Sequence, residues 1–150
     1  MTALRSLPVD ELVAVLVSEH AKMKDGLGRV RAAAMAGDFP DAKKALKEVE
    51  GVFRQHIADE EGQVLRLLIG VYGRKGAEGA IEVFRQHRPI YALMESIERL
   101  SSLPREELAA EQDELISLFE GHAASEEKSV FPRAVSAADN RPDRPASPIV

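Results

Sequence analysis

Four histidines, His20, His56, His87 and His122, are the only imidazoles in a chain of 150 residues that has no cysteine. Imidazole is both a common metal ligand and a proton carrier near neutral pH, so where these four fall is the first chemical statement the sequence makes. Two of them carry a glutamate four residues later, in His56-Ile57-Ala58-Asp59-Glu60 and His122-Ala123-Ala124-Ser125-Glu126. On a helix that spacing puts the carboxylate on the same face, one turn along. Each histidine also interrupts an apolar stripe repeating every three or four residues. The stripes read Leu12, Leu16, His20, Met23, Leu27; Val49, Phe53, His56, Glu60, Val64; Phe84, His87, Tyr91, Met94; and Leu115, Leu118, His122, Glu126. Four imidazoles and two carboxylates are thereby aimed at one core.

A carboxylate in a core is costly unless a cation meets it. No Lys or Arg lies on these stripes at the level of Glu60 and Glu126, which leaves a metal as the counterion. Nitrogen and carboxylate oxygen together suit iron, manganese or zinc, and the lack of any thiolate removes one attraction for zinc. Six ligands exceed one tetrahedral ion and suit two, each ion taking two histidines, with Glu60 and Glu126 bridging through their paired oxygens. Tyr91, four residues after His87, is either a phenolate ligand or a hydrogen-bond donor at the site. Glu61 and Glu127 sit about 100° round the helix from the ligand face and are expected at its exposed margin or just outside the ligands. Leu16, Met23, Phe53, Phe84 and Phe119 are expected to wall the site and keep it dry.

The elements that must hold this set are all helices, because no segment alternates apolar and polar residues over a useful length. The first runs from about Pro8 to Met35, with proline in its opening turn and Asp10 and Glu11 at the positive end of its dipole. A second follows Gly37-Asp38-Phe39-Pro40 and reaches about Ile69, after which Gly70, Gly73, Gly76 and Gly79 predict a longer connection. The third spans about 77–100, and Pro89 inside it must bend or split it. The fourth opens at Ser102-Leu103-Pro104, a near copy of Ser6-Leu7-Pro8, and runs to about Ala137, with Pro132 kinking its last turns. Val52-Phe53-Arg54-Gln55-His56 recurs verbatim as Val83-Phe84-Arg85-Gln86-His87, which suggests two similar helical hairpins. The fold class is therefore all-α, an antiparallel up-down four-helix bundle over residues 1–138, with a loose proline-rich tail over 139–150.

Composition excludes several alternatives. The net charge is −5, and the densest basic group, Lys43, Lys44 and Lys47, reads as a solvated helix face, so neither nucleic acid nor a membrane surface is the expected partner. The apolar run Leu12–Val17 is too short to cross a bilayer, and Asp10 and Glu11 precede it where a signal peptide carries positive charge. The expected compartment is the cytoplasm.

The order His20, His56-x-x-x-Glu60, His87, His122-x-x-x-Glu126 resembles the hemerythrin-like, HHE cation-binding domain, over roughly residues 8–137. That resemblance implies a four-helix bundle holding a non-haem di-iron centre, oxo- or hydroxo-bridged, with manganese or zinc able to substitute. It implies that His20 and His56 serve one iron and His87 and His122 the other. Oxygen-carrying hemerythrins have a further histidine where this chain has Tyr91, and end in His-x-x-x-x-Asp where this chain has His122-x-x-x-Glu126. The departures place the chain nearer the divergent members, which resemble peroxide-handling, oxygen-responsive or iron-responsive proteins. The implied function is binding of, or reaction with, dioxygen or peroxide, the alternatives being sensing or storage without turnover and a purely structural metal.

Overall fold

The computed structural model describes residues 2–139, and these form helices with no strand. Four helical rods account for most of the described residues. The first is α1 (Val9–Met35), which follows Pro8 directly. The second comprises α2 (Phe39–Asp59), a wider π-helical turn over Glu60–Leu65, and α3 (Arg66–Gly76). The third is α4 (Glu78–Phe84) and α5 (His87–Ile97). The fourth is α6 (Arg105–Ser125), a second π-helical turn over Glu126–Val130, and α7 (Phe131–Asp139). No described helix is long and apolar enough to cross a membrane, and Lys43, Lys44 and Lys47 are exposed as expected.

The proline positions explain themselves. Pro89 splits the third rod: the chain breaks at Arg85-Gln86 and restarts at His87, so the proline falls in the first turn of α5, where its missing N–H is not needed. Pro132 is likewise the second residue of α7, just past the π-helical turn. The glycine stretch after Ile69 differs from expectation, because helix continues through it to Gly76 with one break at Gly73 (φ 75, ψ 167), a backbone conformation that suits glycine. Tertiary packing overrides low helix propensity there: Leu67 and Leu68 are buried with Phe131 and Ala134, and the Arg133 guanidinium lies 4.3 Å over the Tyr72 ring. The expected tail lies almost entirely outside the described residues, since α7 runs through Asp139.

Two apolar clusters fill the interior. One gathers Leu12, Leu16, Val64, Leu68, Phe84, Val130 and Phe131; the other gathers Met23, Leu27, Leu46, Phe53, Ile90, Met94, Leu115 and Phe119. Every rod passes from one cluster to the other, and the polar residues Glu19, His20, His56, Asp59, Glu60, His87, His122 and Glu126 are buried at the crossing points. A polar layer thus lies between two dry layers.

α1 and α2 approach closely at Gly26. A Cβ at Gly26 would stand 2.4 Å from Val49 Cγ2, well inside van der Waals contact. Replacing Gly26 by alanine should therefore lower stability by about 1–3 kcal/mol in urea denaturation, despite alanine's better helix propensity. The double change Gly26→Ala/Val49→Ala should recover part of that loss, and a stabilised single variant would contradict the close approach.

Candidate metal centre

All four histidines present Nε2 inward and Nδ1 outward. Inward, His20 Nε2 lies 2.8 Å from Glu126 Oε1 and His87 Nε2 lies 3.1 Å from Glu60 Oε1. His56 Nε2 is 2.9 Å from Glu60 Oε1, and His122 Nε2 is 3.3 Å from Glu126 Oε1, each one turn away on its own rod. Glu60 and Glu126 are both wholly buried. The donors fall into two overlapping groups, one of Glu60, His87, His122 and Glu126 and one of His20, His56 and Glu126, with ligand atoms within 4.8 Å of one another in each.

Outward, every Nδ1 has an oxygen that only accepts. His20 donates to Glu127 at 2.9 Å, His56 to Glu19 at 3.1 Å, His87 to Glu61 at 3.4 Å and His122 to the amide oxygen of Gln86 at 3.0 Å. These bonds fix each ring's orientation and place the Nδ1 hydrogen, which leaves Nε2 of a neutral ring available to coordinate. Glu61 and Glu127, expected at the margin, stand at the margin and half exposed, where each steadies a histidine of another rod.

A cation also reaches this outer shell, from a segment the helical stripes omit. Arg5 donates from its guanidinium to Glu19 at 2.6 and 3.2 Å and to Asp59 at 2.8 Å, and its backbone N–H donates to Asp59 at 2.9 Å. Gln55 and Gln63 clamp both ends of this strap. Each donates to Asp59, and they donate to the carbonyls of Ala3 and Arg5 respectively. Leu4 closes over Gly62, where a Cβ would meet Leu4 Cδ2 at 2.8 Å. Arg5 compensates Glu19 and Asp59 but does not reach Glu60 or Glu126.

Each π-helical turn begins at a core glutamate, Glu60 or Glu126. Such wide turns occur mostly as single insertions at functional sites. Here each one lets two consecutive glutamates serve the same layer, the first facing inward and the second accepting from a neighbouring rod. Aromatic rings close the layer above and below. Phe84 stacks on His87 at 5.2 Å, Phe131 stacks on His20 at 5.7 Å, and Phe53 and Phe119 meet His87 and His20 edge-on at 6.0 Å. Phe53, Phe84 and Phe119 were expected walls; Phe131 was not, because it lies beyond a helical register that the π turn shifts.

Burial is the strongest influence on every imidazole here and favours the neutral form. For His56 the carboxylates of Glu60 and Glu19 outweigh it and hold the ring up at about 9. His87 is also raised, through Glu60 and Glu61. For His122 burial prevails and pushes it down to about 3, and His20 is lowered by burial and then by the charge on His56. Glu60, which burial alone would raise, is drawn down to about 2 by His56 and His87. Each histidine pair thus holds one ring toward the charged form and one toward the neutral form.

Protons do not satisfy the layer completely. Glu60 Oε2, Glu126 Oε2, His56 Nε2 and His122 Nε2 are buried without a hydrogen-bond partner, the two nitrogens lying near carboxylate oxygens but out of line with them. A buried polar atom left so costs about 1–3 kcal/mol. Four unpaired donor atoms, drawn from two rods and facing one another, are what a metal pair would engage, and the nitrogen-oxygen set suits first-row ions. The residues present therefore fit a metal.

Six of the seven residues singled out from sequence converge here. Tyr91 is half buried and lines an open cavity that also touches His87, Phe84 and Glu61. The outer acceptors Glu19 and Gln86 and the strap residues Arg5, Asp59, Gln55 and Gln63 escaped the sequence reading. One signal pointed to the first two, which directly precede His20 and His87. No protein-family model, no curated protein and no solved structure matches the chain.

The electrostatics predict how the metal-free protein responds to pH. His56 is raised above the unfolded value of 6.5, so its contribution is complete below 6.5 and lost as pH climbs through about 9. His122 is depressed from 6.5, so its contribution is present above 6.5 and lost as pH falls toward about 3. Urea melts of metal-free protein should therefore give greatest stability near pH 6.5. His56→Gln should flatten the alkaline limb and His122→Gln the acid limb, and stability that rises from pH 6.5 to 9 would contradict the assignment.

Proposed function

We propose that this chain is a hemerythrin-like non-haem di-iron protein, an antiparallel up-down four-helix bundle whose core binds or reacts with dioxygen or peroxide in the cytoplasm. The observation that carries the reading is the polar layer itself. Four histidines, one from each rod, aim Nε2 at two wholly buried carboxylates that have unpaired oxygens, and each ring is fixed from behind. The order in which the rods cross between the two apolar clusters supports the up-down topology. The grouping of donors supports two ions, which His20 with His56 and His87 with His122 would hold; Glu126 belongs to both groups, and Glu60 Oε1 lies near both His56 and His87.

Bound iron supplies reversible electron transfer to dioxygen or peroxide; the protein supplies the setting. Neutral imidazoles leave the centre less negative than a carboxylate-rich one, which would favour the lower oxidation states of the metal. Phe53, Phe84, Phe119 and Phe131 exclude water from the layer. Tyr91 presents a phenol beside His87, either to coordinate or to donate a hydrogen bond to a bound small molecule.

Anaerobic loading with ferrous iron tests this directly. The expected stoichiometry is about two irons per chain, with His122→Gln and His87→Gln each losing at least one. Dioxygen or peroxide should then produce near-ultraviolet and visible bands. Bands that reverse on removing the gas mean carriage, gas release from peroxide means turnover, and failure to take up two irons rules the reading out. A broad visible phenolate band lost in Tyr91→Phe would make Tyr91 a ligand, whereas an unchanged spectrum would leave it a hydrogen-bond donor.

A further inference from the structure

The polar layer is nearly twofold in its chemistry. Glu19-His20 matches Gln86-His87, and His56 with Glu60-Glu61 matches His122 with Glu126-Glu127. The outward bonds follow the same rule, since His20 uses Glu127 as His87 uses Glu61, and His56 uses Glu19 as His122 uses Gln86. One equivalence is broken: His56 faces a carboxylate and His122 faces a neutral amide.

That difference changes donor strength. A carboxylate accepting from Nδ1–H draws the proton away and makes Nε2 a stronger ligand, whereas an amide oxygen orients the ring with no charge behind it. The Glu19 charge is held in place: Arg5 grips it at 2.6 and 3.2 Å while anchored to buried Asp59, and Glu19 is drawn below the ordinary carboxylate range although burial opposes this. Gln86 has no such support and needs none.

We propose, resting on the di-metal reading above, that the two positions are unequal. The His20/His56 position retains its ion, with Glu19 and Arg5 as positioning residues. The His87/His122 position exchanges its ion more readily.

Cobalt(II), whose visible bands report coordination, is the probe. The native chain should bind two cobalt ions in steps separated by at least about tenfold. Glu19→Gln should weaken the tighter step about 10–100-fold and leave the weaker one, and Gln86→Glu should tighten the weaker step. The gain in the second variant is one that general damage to the fold cannot produce. Two equal steps indifferent to both exchanges would overturn the inference while leaving the di-metal reading intact. Failure to bind cobalt at all would overturn both.

Discussion

Glu60 and Glu126 are wholly buried carboxylates, and most of the structure answers the cost of putting them there. An isolated charge of that kind would shift its pKa and neutralise; here it is met by imidazoles from four rods instead. That requirement places one histidine per rod at the same height, and it forces a polar layer between two apolar clusters that could otherwise have merged. The clusters in turn make the layer rigid, because the rings of Phe53, Phe84, Phe119 and Phe131 leave the imidazoles little room to turn.

The layer is built outward in shells of alternating charge. Inner carboxylates meet imidazole Nε2, imidazole Nδ1 meets outer carboxylates or Gln86, and Arg5 meets the one outer carboxylate that is itself buried, Glu19, together with Asp59. Glu61 and Glu127 need no such cation because they are half exposed and water serves them. The two π-helical turns make this possible from a short stretch of sequence. Along these turns Glu61 and Glu127 each stay within hydrogen-bond reach of a histidine from another rod.

Much of this was legible in the sequence, for a physical reason. The His-x-x-x-Glu spacing and the apolar stripes are local consequences of helical period, so the four rods, the six core donors and the break at Pro89 could all be read from residue types. What could not be read depends on long-range approach or altered register. The Arg5 strap lies outside any periodic element, and its partners Glu19 and Asp59 are 14 and 54 residues away. The glycines at Gly70 and Gly76 looked like a connection because propensity was the only guide, whereas packing of Leu67 and Leu68 on α7 keeps them helical.

The verbatim repeat shows how local likeness can mislead about the role of a residue. Gln55 and Gln86 occupy the same place in Val52–His56 and Val83–His87, yet Gln55 donates to Asp59 and Ala3 in the strap while Gln86 accepts from His122. The repeat aligns His56 with His87, but the hydrogen-bond pattern makes His56 the counterpart of His122 and His20 the counterpart of His87. Symmetry in this core is therefore a property of the polar shells, imposed by two buried charges that each need the same kind of surroundings. It is relaxed at the one outer position, Glu19 against Gln86, where a charge on one side is matched by an uncharged acceptor on the side that faces the cavity.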